Sequence, residues 1–358
     1  MARLGGDEFV VVLEDISNPE YVAKVAENII QAIQEPWQLN QHNVVVNIGT
    51  SIGISFYPQH GETALELLKH ADAALYQAKG SGRGVAKYYS ENLTRQARRR
   101  FKLESKLREA ITNNQLKLHY QPKFDVFTGK ITGAEALVRW IDPKAGMIMP
   151  NEFISIAEET GLINQLGEWV LREACRQGKE WLDKGLALGI SVNISAIQLY
   201  HDDITKTISN TLKATGFPAK NLELELTESI LMRREAESIK KLYQIKELGI
   251  TLAVDDFGAG YSSLSYLRRF PLDVLKIDRS FVADLDHDKD DRAITATIIG
   301  IGRTLNLQVV AEGVETASQL AFLASHGCHI YQGFYASPAL EAKILEEFIA
   351  AYKGNNVF

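Results

Sequence analysis

The sequence predicts an α/β barrel preceded by a smaller α+β unit. Two observations carry the barrel. Short apolar runs of strand length alternate with helical patterns from residue 114 onward, and such alternation gives a mostly parallel sheet. Polar residues recur where these runs end. ITGAEALVRW carries Glu135, and GISVNIS carries Asn193. NLELELTES carries Glu225 and Glu228, and GITLAVDDFG carries Asp255 and Asp256. DVLKIDRSF carries Lys276 and Asp278, and LQVVAEGVE carries Glu312 and Glu315. When eight such units close into a barrel, the active site lies at the carboxyl ends of the strands. A third observation permits the size: 46% hydrophobic residues in a chain of 358 supports a large buried core plus a second unit.

Residues 1–90 form the smaller unit. FVVVLED reads as a strand and PEYVAKVAENIIQAIQEPW as an amphipathic helix. VVVNIGTSIGISFYP is one long strand or a strand pair. TALELLKHADAALYQAKG is a second helix ending at Gly80, and GVAKYY is a short last strand. Gly5-Gly6-Asp7 has the composition of a hairpin turn. No strand is expected ahead of it, which leaves the FVVVLED edge unpaired, so the front half of this domain is expected to be missing. Residues 91–113 read as a helical linker. Its run Arg98-Arg99-Arg100 is a solvated face, or alternatively an interdomain contact or anion site. QLKLHYQPKFDV and KITGAEALVRW are separated by a few residues around Thr128-Gly129. A parallel crossover needs about a dozen or more, so the first two barrel strands are expected to be antiparallel and one strand reversed. Later links, such as GEWVLREACRQGKEWLDKG and SIKKLYQIKELG, are long enough for helices.

A net charge of -6 leaves no basic footprint for bulk nucleic acid. It does not exclude a small anionic nucleotide. Two cysteines, Cys175 and Cys328, make no disulfide framework, which fits a reducing cytoplasm. No apolar run reaches the roughly 18 residues of a membrane span, and MARLGGDEF lacks the regions of a signal peptide. A cytoplasmic location is expected.

Carboxylates, an amide and a lysine converging on one rim suit a hard cation. Phosphodiester hydrolysis needs an activated water, neutralised phosphate and a stabilised leaving oxygen. Two divalent ions about 3.5–4 Å apart supply all three. Asp255 is placed to bridge two ions and Asp256 to serve one. Glu135, Asn193 and Glu225 complete the first ion's shell, and Glu312 serves the second. Lys276 orients the attacking water. Each residue also has a bland reading. A strand-end glutamate caps or is solvated, Asp255-Asp256 starts a turn, Asn193 caps the helix in SAIQLY, and Lys276 makes a rim salt bridge. Their recurrence at successive strand ends favours the site. His326, Cys328 and His329 in SHGCHIY look like a metal cluster but fall on the opposite barrel face. Cys175 reads as helix packing.

Residues 99–353 resemble the EAL domain, the phosphodiesterase of the bacterial messenger cyclic di-GMP. The resemblance rests on Glu135-Ala136-Leu137, VNIS, ELTES, DDFGAGYSSL, LKIDRSF, VAEGVE and YQGFYAS. Residues 2–90 look like the later half of a GGDEF diguanylate cyclase domain, on ARLGGDEF, TSIGIS and ADAALYQAKGSGRG. The resemblance implies a modified TIM-type barrel with one antiparallel strand. It implies that Glu135, Asn193, Glu225, Asp255 and Asp256 bind Mg²⁺ or Mn²⁺ in a two-metal site. Lys276, Glu312 and Gln332 would act around the nucleophilic water, and Glu228 would anchor the DDFGAGYSS loop beside a dimer contact. Gln121, Leu137, Arg139, Asp278, Glu315 and Pro338 would face the substrate, with Arg139 as a phosphate clamp. The expected reaction is opening of cyclic di-GMP to linear pGpG. A homodimer is expected through DDFGAGYSSLSYL, where Tyr261, Leu264, Tyr266 and Leu267 crowd apolar bulk; the other reading is that all of it packs inward. The cyclase family's first strand, second metal aspartate and phosphate loop would precede residue 1, so no cyclase activity is expected. The rival readings are a receptor that binds cyclic di-GMP without cutting it and a GTP-sensing regulator.

Overall fold

A computed structural model describes residues 1–16, 19–39, 44–46, 48–90, 103–113, 115–201, 203–258 and 267–352. The chain divides into two compact units, Met1–Leu103 and Glu104–Phe358.

In the first unit, β1 (Ala2–Gly5) pairs antiparallel with β2 (Glu8–Val10) across Gly6-Asp7. This corrects the expectation that no strand precedes the turn. Ala2, Arg3 and Gly5 are enough to face Val10, Phe9 and Glu8, and Arg3 Nε and Nη2 donate to the Gly6 carbonyl at 2.9 and 2.6 Å. Of FVVVLED, only Phe9 and Val10 are strand. α1 (Pro19–Gln34) follows, then the antiparallel pair β3 (Trp37–Leu39) and β4 (Val44–Val46). β5 (Ile52–Ile54) and β6 (Ala86–Tyr88) run parallel, linked through α2 (Ala64–Gly80). VVVNIGTSIGISFYP is therefore two strands, and they belong to different sheets. Thr63 and Glu66 close a capping box on α2. Val22, Ala26 and Ile54 form the unit's buried cluster.

Helix α3 is described over 103–112 and belongs to the second unit from Glu104 onward. The expectation for Arg98-Arg99-Arg100 lies outside the described residues. Eight strands then close a ring: β7 (Leu116–Asp125), β8 (Ile131–Asp142), β10 (Gly189–Asn193), β11 (Leu222–Thr227), β12 (Thr251–Phe257), β13 (Val274–Ile277), β14 (Gln308–Ala311) and β15 (Ile330–Tyr331), which returns to β7. Two short strands, β9 (Gly146–Ile148) and β16 (Leu340–Glu341), extend β8 and β7. β7 is antiparallel to both ring neighbours, and the other ring pairings are parallel. The reversed first strand is thus present. Along the outside lie α4 (Pro150–Thr160), α5 (Ile163–Asp183), α6 (Ala196–Tyr200), α7 (Ile204–Thr215), α8 (Glu228–Arg233), α9 (Glu235–Lys246), α10 (Arg279–Ala283), α11 (Lys289–Thr304), α12 (Ala317–His326) and α13 (Ala342–Ala351).

Strand alternation sorts the residues into two faces. Leu116, Leu118, Tyr120 and Phe124 of β7 are buried; Tyr120 meets Trp181 of α5 edge-to-face at 4.8 Å. The opposite parity faces the barrel interior. There Ala253, Val274, Val310 and Ile330 pack into one cluster. Each lies two residues before a candidate site position: Asp255, Lys276, Glu312 and Gln332 respectively. An apolar layer therefore supports one side of the rim.

Candidate active site

Lys276 is the centre of the site. Its side chain is fully buried, and Nζ lies 2.5 Å from Glu225 Oε2, 2.5 Å from Glu312 Oε1, 3.1 Å from Asp255 Oδ2 and 3.8 Å from Glu135 Oε2. Burial alone would discharge such an amine. Glu135, Glu225, Glu312 and Asp255 override that and hold its pKa well above the ordinary lysine value. The carboxylates respond unequally. Burial raises Glu225 too, but Lys123 and Lys276 overcome it and hold that group at about 2. Burial pushes Glu312 up to about 8 against the pull of Lys276. Burial, then Asp255 and Asp278, lifts Asp256 to about 6. Glu135 and Asp255 are also raised, first by burial.

Local structure explains how these groups meet. Asp255 and Asp256 are consecutive, so a regular strand would send them to opposite faces. The β12–β13 register shifts between Val254 and Phe257, and Asp256 takes φ 53°. A bulge of this kind re-aims side chains, and aspartate enters the left-handed region more readily than most residues. Asp256 thereby shares a hydrogen bond with the Asp278 carboxylate. Asn193 does not cap the following helix. Ser195 does, in a capping box with Gln198, which leaves the Asn193 amide to donate to Glu135 Oε1 at 2.7 Å. Gln332 Nε2 donates to Glu135 Oε2 at 2.5 Å and to Gln121 Oε1 at 3.2 Å. Gln121 Nε2 in turn donates to the Ser337 carbonyl at 3.2 Å. Gln332 Oε1 is buried with no partner. Gly333 must be glycine, because a Cβ there would stand 2.2 Å from the Val314 carbonyl oxygen.

The structure thus gathers Gln121, Glu135, Asn193, Glu225, Asp255, Asp256, Lys276, Asp278, Glu312 and Gln332. Asp278 also caps α10 through the Ser280 amide at 2.8 Å. Glu228 is buried at the start of α8, and its Oε2 accepts from the Gly258 amide at 3.4 Å. Leu137 and the half-buried Arg139 lie further along β8. Glu315 and Pro338 are exposed past the ends of β14 and β15. Tyr261, Leu264 and Tyr266 fall outside the described residues, whereas Leu267 is buried. His326 and His329 bond separately, to the Phe322 carbonyl and the Val309 amide, and Cys328 is buried.

Sequence reasoning missed Lys123, Ser191 and Glu223. Lys123 is 4% exposed and contacts Glu225, Glu223 and Ser191. The signal was parity. Glu223 shares the face of Glu225, and Lys123 shares that of Gln121. Among the described residues, no group of three or more His, Cys, Asp or Glu side chains is arranged to hold a metal ion as it stands. The carboxylates are gathered on the Lys276 ammonium instead.

The EAL domain family matches residues 104–339, and the diguanylate cyclase GGDEF domain matches residues 1–85. MucR of Pseudomonas aeruginosa, a bifunctional diguanylate cyclase/cyclic di-GMP phosphodiesterase, is 45% identical over 351 residues, 98% of this chain and 51% of its own length. The cyclic di-GMP phosphodiesterase NbdA of the same organism is 42% identical over 354 residues, 99% of this chain and 45% of its own. The chain thus spans about half the length of these relatives. A solved PaMucR phosphodiesterase in complex with c-di-GMP is 48% identical, with a TM-score of 0.67, and covers 68% of this chain and 99% of its own. A ring with one reversed strand, a carboxylate rim around Lys276 and a family match over residues 104–339 lead to one conclusion: the chain belongs to the EAL domain family and carries a GGDEF-domain segment ahead of its barrel.

Proposed function

We propose that the barrel hydrolyses cyclic di-GMP to linear 5′-pGpG with two divalent cations, Mg²⁺ or Mn²⁺. The observation that carries this reading is the convergence of Glu135, Glu225, Asp255 and Glu312 on one buried cationic centre. The names of MucR and NbdA and the c-di-GMP complex of PaMucR support the substrate. The donor set fits hard cations: carboxylates from three strands and the amide oxygen of Asn193. The unpartnered Gln332 Oε1 fits as an acceptor for a water proton. Glu135, Asn193, Glu225, Asp255 and Asp256 would hold the cations. Bound there, divalent cations neutralise the phosphodiester and make water more acidic.

The chain's own residues do the rest. Gln332 Oε1 orients the attacking water. Glu312, held beside the Lys276 ammonium, takes its proton. Arg139 clamps a phosphate oxygen, and Gln121, Leu137, Asp278, Glu315 and Pro338 line the nucleotide. The water oxygen forms the new bond to phosphorus, the bond to the 3′-oxygen breaks, and solvent water supplies the proton that the leaving oxygen takes up. Incubation with cyclic di-GMP and Mg²⁺ or Mn²⁺, followed by chromatography, tests the reading. Appearance of pGpG supports it, and tight binding without turnover would replace it with a receptor. We further propose that residues 1–90 make no cyclic di-GMP. Among the described residues β1 and β2 form a two-stranded sheet joined to no other strand, and Asp7 and Glu8 are exposed on it. With GTP and Mg²⁺, no product is expected. No described helix is long and apolar enough to cross a membrane, and we read the site of action as cytoplasmic.

A further inference from the structure

We propose that Lys123 is a positioning residue for the cation site: it fixes the Glu225 carboxylate from beneath, so that Glu225 offers a single oxygen to the rim. This inference rests on the proposed function. The inward layer below the rim has two unlike sides. On β12 to β15 it is apolar, made of Ala253, Val274, Val310 and Ile330. On β7, β10 and β11 it is Lys123, Ser191 and Glu223, each the next inward position below a rim residue. Packing does not require a lysine there, since the other half of the same layer is closed by aliphatic side chains.

The Lys123 ammonium is fully committed. Its three N–H bonds match three acceptors: Ser191 Oγ at 2.5 Å, Glu223 Oε1 at 2.7 Å and Glu225 Oε1 at 2.8 Å. Ser191 Oγ donates onward to Glu223 Oε1 at 2.8 Å. The network is closed, so Lys123 has no free proton to offer a substrate. Its effect passes through Glu225. That carboxylate is buried, with Oε1 tied to Lys123 and Oε2 facing Lys276 at 2.5 Å. Of the two ammoniums, only Lys276 also touches Glu135, Asp255 and Glu312, so it alone competes with incoming cations. Lys123 keeps Oε1 throughout and leaves Oε2 to the rim. Partners of metal-holding side chains set both their orientation and the affinity of the site.

The alternative is that Lys123 and Glu223 merely satisfy each other as a buried pair. Lys123→Met together with Glu223→Gln separates the two roles, because it removes both charges of that pair and still strips Glu225 of its lower contact. Mn²⁺ binding to the full 358-residue chain is measured by calorimetry without substrate, alongside thermal melting and kcat and KM for cyclic di-GMP. Positioning predicts a thermal midpoint near the parent's and an Mn²⁺ dissociation constant raised about tenfold to a hundredfold. It also predicts a KM that is unchanged at saturating Mn²⁺. Parent-like Mn²⁺ binding in the double variant would overturn the role of Lys123 while leaving the proposed function standing. A parent chain that binds no Mn²⁺ and cleaves nothing would overturn both. A double variant that fails to fold would assign the network to folding and overturn the positioning role.

Discussion

Glu135 accepts one amide hydrogen bond on each oxygen, from Asn193 and Gln332. Both amides point a carboxylate at the Lys276 ammonium, so the side chain is oriented before any ligand arrives. Glu135→Ala removes a proposed cation ligand and leaves the apolar layer below untouched. Turnover should fall by more than about a hundredfold, while circular dichroism and thermal melting stay close to the parent's. Near-parental cleavage by this variant would remove Glu135 from the site. A second residue reports on stability. Asp142 bonds Lys106 Nζ at 2.7 Å and the amides of Lys144 and Ala145. The Lys106 bond first, and then those amides, depress its pKa from 3.8 to about 2. A depressed folded-state pKa stabilises above the unfolded value, and that contribution is lost as pH falls through the folded one. Denaturation midpoints of Asp142→Asn should therefore lie below the parent's at neutral pH. The two curves should converge as pH drops from about 4 toward 2; a gap that is constant with pH would refute the assignment.

The elements that matter most are strand ends. The short strand β15 ends at Tyr331, and the chain must turn at once so that Gln332 reaches Glu135. Gly333 permits this by approaching Val314, where a Cβ would come within 2.3 Å of backbone atoms. Gly333→Ala should cost about 1–3 kcal/mol, as overpacking does, and should reduce kcat because Gln332 moves with its neighbour. Chemical denaturation and steady-state rates measure the two effects; an unchanged midpoint would show that the strand end tolerates a methyl group. The short Thr128-Gly129 link made the reversed β7 legible in the sequence, since no crossover fits in it. The rim carboxylates were legible because each ends an apolar run. The β12 bulge was not, because two consecutive aspartates read the same in a turn or a bulged strand. Lys123 was hidden for another physical reason: an alternating polar face in one strand signifies solvent unless ring closure turns it inward. The turn of the β1–β2 hairpin was legible in Gly5-Gly6-Asp7, but its first arm was missed because three paired residues fall below the length at which periodicity is visible.

Association of the full chain is testable at one strand end. Glu228 holds the Gly258 amide, immediately after the bulge that presents Asp255 and Asp256. We expect Glu228→Ala to loosen that strand end, reducing both activity and the response to divalent ions, and, if the expected homodimer forms here, to weaken it as well. Sedimentation at several concentrations beside activity assays decides it; a monomer with full turnover, indifferent to Glu228→Ala, would end the expectation of a homodimer. The reversed strand has one more consequence. Leu116, where β7 starts, pairs with Trp140, and Gln121 pairs with Glu135, so the chain enters the ring at its reactive mouth and threads downward. In a ring of uniformly parallel strands the first strand would enter from the far side. Here the entering strand passes the rim first and sets Gln121 beside Glu135 before it reaches the floor at Phe124 and Ile131.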